Sequence, residues 1–183
     1  MGKILTKIGQ FYLYGLLAIA LSIALGIIWF KSNSGYRVRN GKVYFRTFDN
    51  LHWQFQSKEV QGANPTTIRT IPRSGNQYGT DNQGVFFGDV QLMNADPGSF
   101  FVLDWRQEYS RDADQIYWKS IPITDDVEHW EVLSQGYSKD RTHIYYGKTV
   151  VEGADPASFV VTGEGTSHAK DKNHSYNMGR RIN

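Results

Sequence analysis

YSKDRTHIYYGKTVV (137–151), followed at once by EGADPASFVV (152–161), holds two kinds of chain reversal and several short aromatic or apolar runs. Tyr137-Ser138-Lys139 is short and starts on an aromatic, a strand candidate. The Asp140 carboxylate is placed to accept hydrogen bonds from the backbone just after it, which fixes a turn through Arg141 and Thr142. His143 to Tyr146 is β-branched and aromatic, the composition of a half-buried pleated surface. Gly147-Lys148 permits a second reversal, and Thr149-Val150-Val151 a third strand. In the second part, Asp155 caps a single helical turn with Pro156 at its first position, where the missing N–H costs nothing. Phe159 then returns a large ring toward the sheet.

The pattern recurs along the chain. YGTDNQGVFF (78–87), YSRDADQIYW (109–118), YSKDRTHIYY (137–146) and HAKDKNHSYN (168–177) align without gaps, their starts 31, 28 and 31 residues apart. Each carries Asp at its fourth place (Asp81, Asp112, Asp140, Asp171) and an aromatic five residues later (Phe86, Tyr117, Tyr145, Tyr176). The leading aromatics are Tyr78, Tyr109 and Tyr137, with His168 in the last copy. YRVRNGKVYF (36–45) has the same outline, but Arg39 replaces the Asp and Asn40-Gly41 is a type I′ turn signal. ADPGSFFV (95–102) matches ADPASFVV (154–161), so Asp96-Pro97 and Asp155-Pro156 are read as closing turns; GANPTTIRTI (62–71) and DDVEHWEVL (125–133) are looser copies. The double recurrence predicts an all-β fold of repeated antiparallel hairpins, a meander or short solenoid, over residues 36–183. Its units start near 36, 78, 109, 137 and 168. Two-stranded hairpins are marginal alone, so neighbouring units must share a core.

The opening of the chain has another character. A tail (1–7) with Lys3 and Lys7 precedes an uncharged run from Ile8 to Phe30, and a linker (31–35) follows. As a helix this run would extend about 34 Å, against a hydrocarbon core of about 30 Å. Tyr12, Tyr14 and Trp29 lie near its ends, where amphipathic rings favour headgroups. The run is too long, and ends in side chains too bulky, for a cleaved signal peptide. The expectation is a transmembrane helix over 8–30 acting as signal-anchor. It makes the lipid bilayer a partner and places the protein as single-pass in a bacterial inner (cytoplasmic) membrane. Flanking charge disagrees with export, because Lys31, Arg37, Arg39, Lys42 and Arg46 outnumber Lys3 and Lys7. A seven-residue tail needs little presentation, which favours an extracytoplasmic repeat domain.

The chemistry is sparse. The chain has no cysteine, which removes disulfides, thiol nucleophiles and thiolate metal sites. Without Lys3, Lys7 and Lys31, 17 of the 20 basic residues face 18 acidic ones, a poor footprint for nucleic acid. The four turn aspartates supply too few oxygens for calcium loops and have basic neighbours in two of them, so turn capping accounts for them better. The pair His168 and His174 with Asp171 makes only a weak zinc candidate, since His168 occupies a tyrosine place. Gly163-Glu164-Gly165-Thr166-Ser167 is not a nucleophile elbow, and Glu128 with Glu131 fixes no carboxylate separation. No catalytic residue, metal or cofactor is expected, and the protein is not read as an enzyme.

The hairpin Ala169-Lys170-Asp171-Lys172-Asn173-His174 with Tyr176, and Tyr145-Tyr146-Gly147-Lys148 followed by Ala154-Asp155-Pro156 and Phe159, resembles the bacterial DKNYY repeat family. The resemblance runs from about Tyr78 to Tyr176, and weakly back to Tyr36. It departs at Arg39, Ser175 and Asn177. It implies a repeat protein of the cell envelope and supplies no reaction. The function read from these features is a membrane-anchored structural or protein-interaction module with a protein partner. Two alternatives are an immunity-like protein neutralising a toxin at the membrane, and cell-wall or carbohydrate binding through Trp53, Trp105, Trp118 and Trp130. The tryptophans fall at different repeat places, which favours separate core roles.

Overall fold

The computed structural model describes the backbone of residues 2–163 and 168–182, and the side chains of residues 14–29, 33–163 and 169–182. Helix α1 (Gly2–Asn33) comes first. Five antiparallel sheets follow in chain order. The first holds β1 (Gly35–Arg39), β2 (Lys42–Asp49) and β3 (Gln54–Glu59). The second holds β4 (Arg69–Thr70), β5 (Tyr78–Thr80), β6 (Val85–Phe87) and β7 (Val90–Gln91). In the third are β8 (Phe101–Asp104), β9 (Tyr109–Arg111), β10 (Ile116–Trp118) and β11 (Ile121–Thr124). The fourth comprises β12 (Glu131–Val132), β13 (Tyr137–Lys139), β14 (Ile144–Tyr146) and β15 (Thr149–Val150). The fifth comprises β16 (Val160–Val161), β17 (His168–Lys170), β18 (Ser175–Asn177) and β19 (Arg180–Arg181).

Each sheet is a meander whose central hairpin is one repeat copy. In the first, Asn40 and Gly41 both have positive φ (51° and 71°), as a type I′ reversal demands. The strand after each Asp-Pro or related turn pairs forward with the next hairpin: β8 with β9, and β16 with β17. The turn therefore introduces a sheet. It is a single reversal closed by an i→i+3 bond, such as Ser158 N–H to the Asp155 carbonyl at 3.2 Å, where a helical turn was expected. In the related turn at Asn64 the Ile68 N–H adds one i→i+4 bond to the Asn64 carbonyl at 3.0 Å, and the strand begins at the next residue, so no helix propagates.

The sheets are stacked, because alternation sends successive strand residues to opposite faces and each sheet packs an aromatic face against its neighbour. Tyr36, Val43, Phe45 and Val60 of the first sheet pack on Phe86 of the second. Tyr78, Val85 and Leu92 meet Tyr117 of the third. Tyr137, Ile144 and Val151 of the fourth meet Ala169 and Tyr176 of the fifth. The core is thus a series of layers between sheets, the arrangement of a solenoid whose units stabilise their neighbours.

One expectation is overturned. No helix among the described residues is long and apolar enough to cross a membrane. The transmembrane helix over 8–30 and the signal-anchor are corrected accordingly. So are the lipid bilayer as partner, the single-pass inner-membrane location with an extracytoplasmic domain, and the membrane-anchored function with its immunity-like form. What connects α1 to the sheets is Trp29 edge-on to Phe55 at 5.6 Å and Arg46 donating to Asn33 Oδ1 at 3.4 Å.

Candidate functional site

The recurrent residues converge on the junctions between sheets. Asp140 is 4 % exposed, and its Oδ1 accepts from the N–H groups of Thr142 and His143 at 2.8 and 2.7 Å. Its Oδ2 accepts from the Tyr145 hydroxyl at 2.6 Å and from Thr124 Oγ1 at 3.1 Å. Asp112 repeats the arrangement, accepting from the N–H groups of Asp114 and Gln115 on one oxygen and from the Tyr117 hydroxyl and the Asp96 N–H on the other. Asp171 does the same with Asn173, His174, Tyr176 and Asp155. In the second sheet Asp81 holds Gln83, Gly84 and the Asn64 N–H, while Phe86 has no hydroxyl to add. One oxygen therefore fixes the hairpin turn and the other pins the turn that introduces the same sheet.

Asp96 and Asp155 act within their own turns. Asp96 accepts from Gly98 N–H and Ser99 N–H at 3.0 Å each, and Asp155 from Ser158 Oγ at 2.6 Å. Pro97 and Pro156 sit half-buried beside them. Ser99 Oγ and Ser158 Oγ in turn accept from the N–H groups of Ala113 and Lys172 in the following hairpin.

The leading tyrosines link one sheet to the next. Tyr36 OH donates to the carbonyls of Gln77 and Phe86 at 3.1 and 3.0 Å. Tyr78 OH reaches those of Glu108 and Lys119, and Tyr109 OH those of Gly136 and Gly147. Tyr137 OH accepts from Gly179 N–H at 2.9 Å. Each ring needs a small residue beneath it, and the residue after the next leading aromatic supplies one: Gly79, Ser110, Ser138 or Ala169. A Cβ on Gly79 would lie 2.6 Å from the Tyr36 ring. Ser110 Oγ and Ser138 Oγ donate back to the Tyr78 and Tyr109 hydroxyls. A third ring wedges each of the last three junctions: Phe100 between Tyr78 and Tyr117, Trp130 between Tyr109 and Tyr145, Phe159 between Tyr137 and Tyr176.

Sequence reasoning singled out the aspartates and aromatics and missed the small residues, the wedge role of Trp130 and the place of Ile68, which packs in the first junction. An aligned column of Gly, Ser, Ser and Ala beside the tyrosine column was the available signal. The tryptophans do not share a platform. Trp53 is 83 % exposed at the β2–β3 turn, Trp105 lies against Gly75, and Trp118 and Trp130 are half-buried at junctions. They are not core residues either, apart from the wedge made by Trp130.

Burial and hydrogen bonding oppose each other at the aspartates. Burial raises the carboxyls of Asp112, Asp140 and Asp171, but the backbone N–H and tyrosine donors outweigh it and hold all three below the usual carboxylate range. Burial pushes the phenols of Tyr109 and Tyr176 up to about 12, with the Asp171 carboxylate adding to the second. A raised phenol stabilises the fold fully below its unfolded value of about 10, and that contribution is lost as pH rises through the folded value. Thermal melts are therefore expected to hold up to about pH 10 and fall steeply between pH 10 and 12, with phenolate absorbance appearing together with unfolding. Phenolate growing in gradually from pH 10 with an unchanged melting temperature would contradict the buried ladder.

Among the described residues no group of three or more His, Asp and Glu side chains is placed to hold a metal ion. The side chain of His168 lies outside the described residues, as does the segment 164–167 of the Gly163–Ser167 run. His174 Nδ1 is buried and 3.9 Å from Asp171 Oδ1.

A family model described as the DKNYY family matches residues 36–180. No curated protein matches the chain, and no solved structure does.

Proposed function

The chain belongs to the DKNYY family, and on that premise we propose that it is a non-enzymatic repeat module that presents a stiff surface to a protein partner. The observation that carries this reading is how the recurrent polar groups are used. The carboxylates of Asp112 and Asp171 are each occupied by four donors inside the stack and that of Asp140 by five, and the tyrosine hydroxyls bridge sheets. Groups so engaged build a scaffold and leave little for general acid–base work, which needs a carboxyl free to exchange its proton. In this reading Asp81, Asp112, Asp140 and Asp171 are turn residues, Asp96-Pro97 and Asp155-Pro156 position the wedge rings, and the repeat aromatics hold sheet to sheet.

Protein contact surfaces are rich in exposed rings and aliphatic groups bordered by charge. The flanks of the stack offer such groups: Val90, Phe101, Trp105 and Val160 are about half exposed, and Arg111 stacks on Phe101 at 5.4 Å. The test is crosslinking in the producing cells with the full chain, followed by reconstitution of the captured protein with purified chain. A saturable stoichiometric complex supports the reading. Recovery of nothing beyond what a scrambled-surface control recovers defeats it.

A further inference from the structure

The first sheet lacks a neighbour that each of the other four possesses. In sheets two to five, the strand after the introducing turn runs along the outer edge of the first hairpin strand: β4 on β5, β8 on β9, β12 on β13 and β16 on β17. The first sheet has the order β1-β2-β3, and no strand lies beside β1 on that edge among the described residues. The chain passes from α1 into β1 through Ser34 alone, without an introducing turn.

The backbone along that edge is set for pairing. The Asn40-Gly41 reversal places Arg39 opposite Lys42, so the backbone groups of Arg39 and Arg37 turn toward β2 and those of Val38 and Tyr36 turn away. The Val43 carbonyl, opposite Val38, obeys the same alternation and accepts from Val60 N–H on the β3 side at 2.8 Å. In other sheets the outward groups are used. Ile71 N–H donates to the Tyr78 carbonyl at 2.9 Å, and Leu133 N–H to the Tyr137 carbonyl at 3.0 Å. In the first sheet the Tyr36 carbonyl accepts instead from Arg37 Nη1 at 2.9 Å. The N–H and carbonyl of Val38 have no hydrogen-bond partner among the described residues, and Val38 is 51 % exposed. Helix α1 crosses the sheet toward β3, the opposite edge, where Trp29 meets Phe55 and Asn33 meets Arg46. The edge at β1 is five residues long, against two to four for β4, β8, β12 and β16.

We propose that the free edge of β1 receives an extended segment of a partner protein as a fourth strand, antiparallel to β1, with a β-branched residue exchanging N–H and carbonyl bonds with Val38. The proposal rests on the protein-binding reading above and names its surface. The chain itself shows what fits there. In the fifth sheet this place is held by Val160–Val161, with Val160 opposite Lys170, the counterpart of Val38. A valine opposite Val38 adds a favourable cross-strand pair of β-branched side chains. The edge of β3 is a weaker candidate, because its counterparts β7, β11, β15 and β19 are also outermost in their sheets. A second copy is a poor occupant. Two β1 strands paired about Val38 would set Arg37 of one against Arg39 of the other, and like charges directly opposite destabilise a sheet.

The experiment is fluorescence anisotropy with the full chain and a labelled peptide ASFVVTG, the sequence of residues 157–163. Saturable binding is expected. The peptide ASFPVTG lacks the N–H that reaches the Val38 carbonyl and is expected to bind about tenfold more weakly, the worth of one hydrogen bond. ASFVPTG, whose missing N–H points away from β1, is expected to lose far less. The Val38→Pro chain gives up no bond to β2 and is expected to bind ASFVVTG about tenfold more weakly with an unchanged circular dichroism spectrum. Hydrogen exchange reads the same edge without a variant: the Val38 N–H is expected to exchange freely in the chain alone and to slow with saturating peptide. No saturable binding, equal affinity for the two proline peptides, or a Val38 N–H that stays unprotected under peptide overturns the proposal. So does a dimer of the unaltered chain that Val38→Pro abolishes, which assigns the edge to a second copy. Crosslinking with the Val38→Pro chain separates the two levels. A partner still captured in full removes this edge and leaves the protein-binding reading standing. Absence of any partner with the unaltered chain removes that reading while the peptide titration still judges the edge.

Discussion

Asp140→Ala lowers the stability of the fold by about 3–5 kcal/mol, measured by urea denaturation at neutral pH. The substitution strands five donors at once: the N–H groups of Thr142 and His143, the hydroxyls of Thr142 and Thr124, and the Tyr145 hydroxyl. Tyr145 is itself buried, at 4 % exposure, so its hydroxyl gains no water in exchange. Asp140→Asn keeps an acceptor on the turn and is expected to cost about 1–2 kcal/mol. The exposed Glu152→Ala serves as reference, within about 0.5 kcal/mol of the parent. The carboxyl is held below its usual range in the fold, so its contribution is whole above about pH 4 and fades as pH falls through the folded value. The gap between parent and Asp140→Ala must therefore narrow in acid; a gap independent of pH down to complete protonation would show that the charge plays no part.

Tyr109→Ala acts on a junction instead of a turn. The ring is fully buried between the third and fourth sheets, against Trp130 at 5.5 Å, and its hydroxyl serves the carbonyls of Gly136 and Gly147 and accepts from Ser138. Removing it costs about 3–5 kcal/mol in lost packing and cavity. In a stack where each unit stabilises its neighbours, the loss falls on one interface. Denaturation is expected to split into two transitions, one for the first three sheets and one for the last two. Tyr109→Phe, which keeps the ring, is expected to cost about 1–2 kcal/mol and remain a single transition. A single transition for Tyr109→Ala with an unchanged denaturant slope would mean that the sheets do not unfold as separable neighbours.

The hairpins were legible because their determinants are local. Asp140 finds its donors two and three residues away, and Asn40-Gly41 needs no tertiary help to reverse the chain. Their stacking was not legible, because it depends on pairs more than twenty residues apart. Tyr78 meets Glu108 and Tyr109 meets Gly136, and no periodicity within a unit announces that its tyrosine serves the following one. For the same reason the Asp-Pro turns read as endings: their strands Phe101–Asp104 and Val160–Val161 pair with the hairpin that follows them in the chain. Arg39 stands at the place of Asp81 and is exposed, so its charge keeps its water. The apolar run at the start illustrates the opposite limit, since composition alone suggested a span that the described residues do not supply.

The flanks of the stack hold strands of two to four residues in the last four sheets, and the third sheet is bulged on both sides, at Val102–Asp104 and Ile116–Tyr117. A foreign strand laid along such a flank finds one or two ladder bonds before the edge turns away, too few to nucleate a cross-β fibre. Lateral polymerisation is closed off by brevity and, on the edge strand β11, by Pro122, which has no N–H to offer. A chain of many strands can thus be held at high concentration without those edges recruiting further strands.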